Sequence, residues 1–244
     1  MRTNYFFISD LHINHIKVLP FTEMQYARLQ RNGDKVSFDG AEWVRPPVLP
    51  TSVDQWNDRI CSNWNRVVGP NDIVYICGDV TYRNKPEPIV KYLNSLRGTK
   101  RIVYGNHDSE LIKYLTKNPQ KHVELVGDYV DIYVPLPDGR PAQRVIMSHC
   151  PIFSYDGCGR SSVIHIFGHV HASPVENRAY IEATRSAFGH LDPGPLFVNV
   201  GAMLPWMNFC PKTLDELMPT IAMNRGQKLD PPDGQLRFRS LNAP

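Results

Sequence analysis

The sequence predicts a layered α/β fold, and three observations carry that expectation. Short apolar runs rich in Ile, Val, Phe and Tyr stop abruptly at polar residues, amphipathic stretches of helical period lie between some of them, and metal-ligating residue types collect where the runs stop. Runs of this length and composition read as buried strands. The C-terminal ends of strands are where layered α/β folds place their sites.

The strand candidates are residues 5–8 before Ser9-Asp10, 73–77 before Gly78-Asp79, 102–104 before Gly105-Asn106, 145–147 before Ser148-His149, and 163–167 before Gly168-His169. Between them, residues 52–68 place Val53, Trp56, Ile60, Trp64 and Val67 three and four apart, an amphipathic helix that Thr51 or Ser52 would cap. Shorter helices are expected at 88–96 and 110–115. A late one is expected at 213–223, with Thr213 and Glu216 forming a capping box. Residues 24–50 are polar, end in a Pro-rich run and read as an insertion, with a hairpin turning at Asn32-Gly33. Residues 230–244 read as a Pro-rich tail.

Bulk properties narrow the class. A chain of 244 residues with 42% hydrophobic content can bury a sizeable core as one domain with insertions. A net charge of +3 predicts neither a nucleic-acid coat nor a membrane surface. The 5 cysteines are odd in number and form no C-x-x-C pair, the pattern of reduced thiols in a cytosolic protein. The opening apolar run is too short for a secretory signal, and nothing approaches a bilayer-spanning length, so cytoplasmic residence is the default expectation.

The residues that end the runs are chemically uniform. Asp10 and His12, Asp79, Asn106 to Asp108, His149, and His169 and His171 offer carboxylate, imidazole and amide-oxygen ligands, the set that hard and borderline divalent metals prefer. The D-x-H and H-x-H spacings suit a strand end, where alternate side chains share a direction. Gly78, Gly105 and Gly168 allow sharp chain reversal where the ligands emerge. Each element alone is an ordinary turn; five in order, each after an apolar run, are not.

Asp10-Leu11-His12, Gly78-Asp79, Gly105-Asn106-His107-Asp108, His149 and Gly168-His169-Val170-His171 resemble the ordered motifs of the calcineurin-like metallophosphoesterase superfamily. Asn199-Val200-Gly201-Ala202 is similar to its closing N-P-G-S element. Ser9 to His15, with Asn63-Trp64-Asn65 and Leu96-Arg97-Gly98, is similar to bacterial and phage predicted phosphoesterases that open on S-D-T-H-F-G-H. The resemblance implies a four-layer αββα sandwich flanked by helices. Its domain would be residues 1–210 with the 24–50 insertion, followed by a C-terminal helix and tail at 211–244.

It also implies two divalent metal ions, Mn²⁺ first, with Fe, Zn, Ni or Mg as alternatives. Asp10, His12, Asp79 and His171 would hold one. Asp79, Asn106, His149 and His169 would hold the other, with Asp79 as the bridge. A hydroxide shared between such ions would attack phosphorus. His107 would face the scissile phosphate. Asp108 would either orient His107 or cap the following helix.

The chain departs from the protein-phosphatase branch at Tyr82, where that branch carries the Asp of G-D-x-x-D-R-G, which argues against a protein Ser/Thr phosphatase. Arg83 falls in register with a phosphate-clamping arginine, or is an ordinary loop cation. His15 either reaches the substrate or caps a helix. Arg160, in a Gly-rich loop that lacks a Walker lysine, could meet a phosphate; His165 reads as a packed residue inside a strand.

The expected function is hydrolysis of a phosphomonoester or phosphodiester of a small phosphorylated molecule such as a nucleotide. The rival is a metal-dependent nuclease, for which the Arg45 segment, Lys100 and Arg101 are the hints; a degenerate, non-catalytic binding module is the third reading.

Overall fold

The structure is a computed structural model that describes residues 3–31, 37–38, 41–42, 49–160, 162–171, 174–188 and 195–224. Two sheets face each other across one core. The first has the order β1 (Tyr5–Ile8), β4 (Ile73–Cys77), β5 (Thr99–Val103), β6 (Val123–Gly127), all parallel. The second has the order β10 (Leu196–Asn199), β9 (Val163–Phe167), β8 (Gln143–Ser148), β7 (Tyr129–Val134), parallel except for the β7–β8 pair. Parallel strands need crossovers. Helices α1 (Val18–Arg31) and α2 (Val53–Val67) lead from β1 to β4, α3 (Pro86–Ser95) from β4 to β5, α4 (Ser109–Lys117) from β5 to β6, and α5 (Pro174–Phe188) from β9 to β10.

Strand alternation sorts the second sheet's two faces. Ile164, Ile166 and Val198 join Ile8, Val74, Ile76 and Ile102 of the first sheet in the central core. Phe167 and Phe197 point the other way, onto Ile181 of α5. The result is the expected pair of sheets flanked by helices. Helix α6 (Leu214–Asn224) packs against β10 and β1, and its Leu214, Leu217 and Ile221 enter the central core.

Several local expectations hold to the residue. Ser52 caps α2 by accepting from the Gln55 amide at 3.1 Å. Thr213 and Glu216 form the reciprocal capping box, Thr213 N donating to Glu216 at 2.9 Å and Glu216 N to Thr213 Oγ1 at 3.4 Å.

The 24–50 reading needs correction. Helix α1 occupies the first part of it up to Arg31, and further on β2 (Ser37–Phe38) pairs antiparallel with β3 (Ala41–Glu42). Asn32-Gly33 and the 230–244 tail lie outside the described residues. The periodic signal of α1 was hidden because its buried face is Val18, Thr22 and Gln25, while Ile16, just ahead of the helix, and Phe21 and Met24 on it are exposed. No helix among the described residues is long and apolar enough to cross a membrane.

Candidate metal centre

The C-terminal ends of β1, β4, β5, β8 and β9 converge where the two sheets meet. Backbone bonds hold the loops in register: Ser9 N donates to Val200 O at 2.9 Å, Asp10 N to Gly78 O at 3.0 Å, His12 N to Asp79 O at 3.1 Å, and Gly168 N to His149 O at 2.9 Å. The side chains are not aimed by strand alternation, as the D-x-H spacing suggested. Asp10, His12, Asp79, His169 and His171 all lie beyond their strands, with φ of 54°, 46°, 51°, 71° and 45°. Non-glycine residues in the left-handed region cost on the order of 1–3 kcal/mol each and concentrate at functional sites. The surrounding hydrogen bonds and packing sustain that strain.

The glycines also act differently from the reversal expected of them. Gly78 has φ +84°, but a Cβ at Gly105 would lie 2.1 Å from Asp79 N, and one at Gly168 would lie 1.9 Å from Ser9 Oγ and 2.4 Å from Asp10 Oδ2. At Gly105 and Gly168 the requirement is close approach of backbone to a ligand loop.

The ligand types fall into two groups that share a carboxylate. In the first, donor atoms of Asp10, His12, Asp79 and His171 all lie within 4.8 Å of one another, and all four residues are buried. His12 Nε2 is 2.9 Å from His171 Nε2, which is 3.3 Å from Asp10 Oδ1. In the second, Asn106 Oδ1 lies 2.9 Å from His149 Nε2 and 3.0 Å from His169 Nδ1. Asp79 Oδ2 is 3.3 Å from His149 Nε2 and 3.9 Å from His12 Nε2, so it faces both groups. Ligands about 2.0–2.2 Å from a common cation stand roughly 3–3.5 Å apart when adjacent, so oxygen and imidazole donors at these separations fit a divalent ion.

Charge is concentrated here. Burial alone would raise Asp10 and Asp79, but facing imidazoles, His171 for Asp10 and His149 for Asp79, hold both below the usual carboxylate value. His12 is pushed down to about 3 by burial and by His171. Burial also works against a charged His149, yet the Asp79 hydrogen bond and the Asp10 charge carry it up to about 9. The Cys77 carbonyl accepts from His149 Nδ1 at 2.8 Å, which leaves Nε2 as the atom directed at Asp79 and Asn106.

The remaining candidates divide. His107 lies at the rim, with Nε2 3.9 Å from Asp79 Oδ2 and its backbone N donating to Asp79 Oδ1 at 3.0 Å. Asp108 takes neither expected part. Its side chain makes no cap bond to α4 and instead accepts from Thr81 N at 3.2 Å and Gly105 N at 3.3 Å, joining the two central ligand loops. Burial and the Asp79 charge push it up to about 6. His15 touches the first group, its Nδ1 3.3 Å from His12 Nδ1. Arg83 is exposed beside the site, its guanidinium 5.9 Å from the Tyr82 ring centroid.

Arg160 is a correction. Arg160 precedes the start of β9 at Val163, while His169 and His171 follow its end at Phe167, so Arg160 stands at the opposite strand end. The nuclease hints weaken too. Lys100 is buried, its ammonium on the Leu96 and Gly98 carbonyls at 2.8 and 2.9 Å. Arg101 pairs with Glu124 at 2.8 Å, and Arg45 lies outside the described residues. His165 is a packed histidine, accepting from Ile152 N at 3.1 Å, with Nδ1 3.3 Å from Ile146 O.

Sequence reasoning missed Phe21, whose ring sits 5.4 Å from that of His171, because nothing marked residue 21 as near residue 171. It also missed Ser9, whose hydroxyl donates to Cys77 O at 2.7 Å and ties the first two ligand loops together.

A two-sheet sandwich with buried carboxylates and imidazoles gathered at its strand ends has the build of a divalent-metal hydrolase. The calcineurin-like phosphoesterase family matches residues 4–173, and the chain belongs to it: it is a metal-dependent phosphoesterase. An uncharacterized protein of Methanocaldococcus jannaschii is 23% identical over 217 residues, 88% of this chain and 90% of that protein. The Gene 66 protein of Mycobacterium phage D29 is 25% identical over 156 residues, 61% of this chain and 64% of that protein. A crystal structure of a protein of unknown function from Aquifex aeolicus has a TM-score of 0.50 at 19% identity, covers 90% of this chain and 100% of that one, and shares the fold.

Proposed function

We propose that the chain hydrolyses phosphate esters of small molecules, nucleotides among them, with two divalent ions, Mn²⁺ foremost. Asp10, His12, Asp79 and His171 would hold one; Asp79, Asn106, His149 and His169 would hold the other. The observation that carries this reading is the position of Asp79, whose Oδ2 faces His149 Nε2 at 3.3 Å and His12 Nε2 at 3.9 Å. When bound, such a pair acidifies water toward neutrality and offsets charge developing on the phosphoryl oxygens.

The chain's own residues shape the rest. Asn106 contributes a neutral amide oxygen, so the second group carries less negative charge than a second carboxylate would give it and stays attractive to phosphate. His107, at the rim with Nε2 toward the site, is placed to donate to a substrate oxygen or to the leaving group. Burial disfavours a charged His107, and the exposed Arg83 adds to that effect against the pull of Asp79.

The test is a screen of chelator-stripped protein against mono- and diesters, including linear and cyclic nucleotides, with Mn²⁺, Ni²⁺, Zn²⁺ and Mg²⁺ in turn. Metal-dependent turnover is expected, and Asp79→Asn and His149→Ala should reduce it about 1000-fold or more while circular dichroism stays native. Undiminished activity in both variants would refute the assignment.

A further inference from the structure

The backbone of His107 is fixed, because its N–H donates to Asp79 Oδ1 at 3.0 Å. That leaves the side-chain torsions to be set. An imidazole is usually oriented by a hydrogen bond to its second nitrogen. Here Nδ1 of His107 is buried and has no hydrogen-bond partner among the described residues. Asp108, its neighbour in sequence, is committed to the Thr81 and Gly105 amides.

What touches the imidazole is an aromatic ring. Tyr82 lies 4.3 Å from it, centroid to centroid, at an interplanar angle of 54°. Tyr82 is itself backed by His15, whose ring stacks at 4.3 Å and 6°. His15 rests on His12, Nδ1 to Nδ1 at 3.3 Å. The Tyr82 backbone is held from the side by Thr81, whose hydroxyl donates to Ile13 O at 3.1 Å. Stacked rings on anchored backbone form a rigid stop.

We propose that Tyr82, backed by His15, is a positioning residue that sets the side-chain orientation of His107 by ring contact where no hydrogen bond does so. The inference rests on the phosphoesterase reading above. It assigns the work to the ring of Tyr82 and none to its hydroxyl.

The experiment compares Tyr82→Ala and Tyr82→Phe in the full chain. With Mn²⁺ and an ester that the wild type hydrolyses, Tyr82→Ala should lower kcat about 10- to 100-fold with KM within about threefold, since small misplacements of a reacting group cost rates of that order. Tyr82→Phe should restore kcat to within about threefold of wild type. In metal-free protein, the His107 imidazole resonances, assigned by their loss in His107→Gln, should carry a ring-current shift that disappears in Tyr82→Ala and persists in Tyr82→Phe.

A rise in KM with kcat retained would overturn the proposal by making Tyr82 a substrate wall. Equal impairment of the Phe and Ala variants, or weakened Mn²⁺ binding in Tyr82→Ala, would overturn it as well. If the wild type hydrolyses no ester with any metal, the functional reading fails, and the resonance shift still decides the contact.

Discussion

Replacing Gly168 by alanine puts one methyl group where two ligand loops meet. Its Cβ would stand 1.9 Å from Ser9 Oγ and 2.4 Å from Asp10 Oδ2. Ordinary contact requires about 3.4 Å or more, so the turn after β9 must withdraw by roughly 1.5 Å or Ser9 must give way. Neither is free. Ser9 Oγ donates to Cys77 O at 2.7 Å, and Asp10 accepts from His169 N at 3.1 Å. Overpacking at about 1–3 kcal/mol plus one lost hydrogen bond at about 1 kcal/mol gives a destabilisation of roughly 2–4 kcal/mol. Withdrawal would also carry His169 and His171 away from Asn106 and Asp10. A displacement of about 1 Å costs on the order of 100-fold in rate. The assays are urea unfolding, calorimetric Mn²⁺ titration and kcat/KM on one ester, and all three should worsen. If Gly168→Ala matched wild type in Mn²⁺ affinity and turnover, the close-approach argument would be wrong.

Three further outcomes are expected. Asn106→Asp adds a carboxylate to the second ligand group, so metal should bind more tightly while KM for an anionic ester rises about tenfold; an unchanged KM would count against the charge argument. Asp72 accepts from Asn4 N, Asn4 Nδ2 and Gly69 N at 2.8, 3.1 and 2.8 Å at the end of the sheet away from the ligands, so Asp72→Ala should lose roughly 3 kcal/mol of stability without altering metal stoichiometry. His165 is held by burial at about 4 against 6.5 for the free group. Since its folded pKa lies below its unfolded one, the unfolded chain takes up the proton first, and stability falls as pH drops from 6.5 toward 4, by on the order of 3 kcal/mol. His165→Gln should lack that share of the acid sensitivity, and parallel urea-midpoint profiles for the two proteins would show that His165 does not titrate as described.

Legibility in the sequence followed from how many physical signals each element carried. Strands β1, β4 and β9 could be read because an apolar run ended on a polar pair, and the ends of α2 and α6 because Ser52 and Thr213 are capping residues. Helix α1 could not be read, because burial there selects Thr22 and Gln25 over Phe21 and Met24. Strand β7 escaped for a related reason: Val130 and Val134 are buried on one face while Tyr129 and Tyr133 stand exposed on the other, so apolarity does not alternate. The residues gathered at the strand ends were legible by type and order, but their left-handed backbone was not, since Asp and His favour that region only weakly and most of them lie outside it. Arg160 was misplaced because a Gly-rich loop suggests anion binding, while the direction of β9 carries it to the wrong end. The contacts of Asp108 were not legible, because an aspartate after a histidine and before a helix suggests either an orienting partner or a cap, and only the fold shows the Thr81 and Gly105 amides on its carboxylate.

The central claim is that the Asp79 carboxylate is shared between two ions, and electron paramagnetic resonance of the Mn²⁺-loaded chain tests it most directly. The account predicts about two Mn²⁺ per chain with an exchange-coupled spectrum that is lost in Asp79→Ala. Spectra of isolated, uncoupled Mn²⁺ at full loading of the wild type would contradict it.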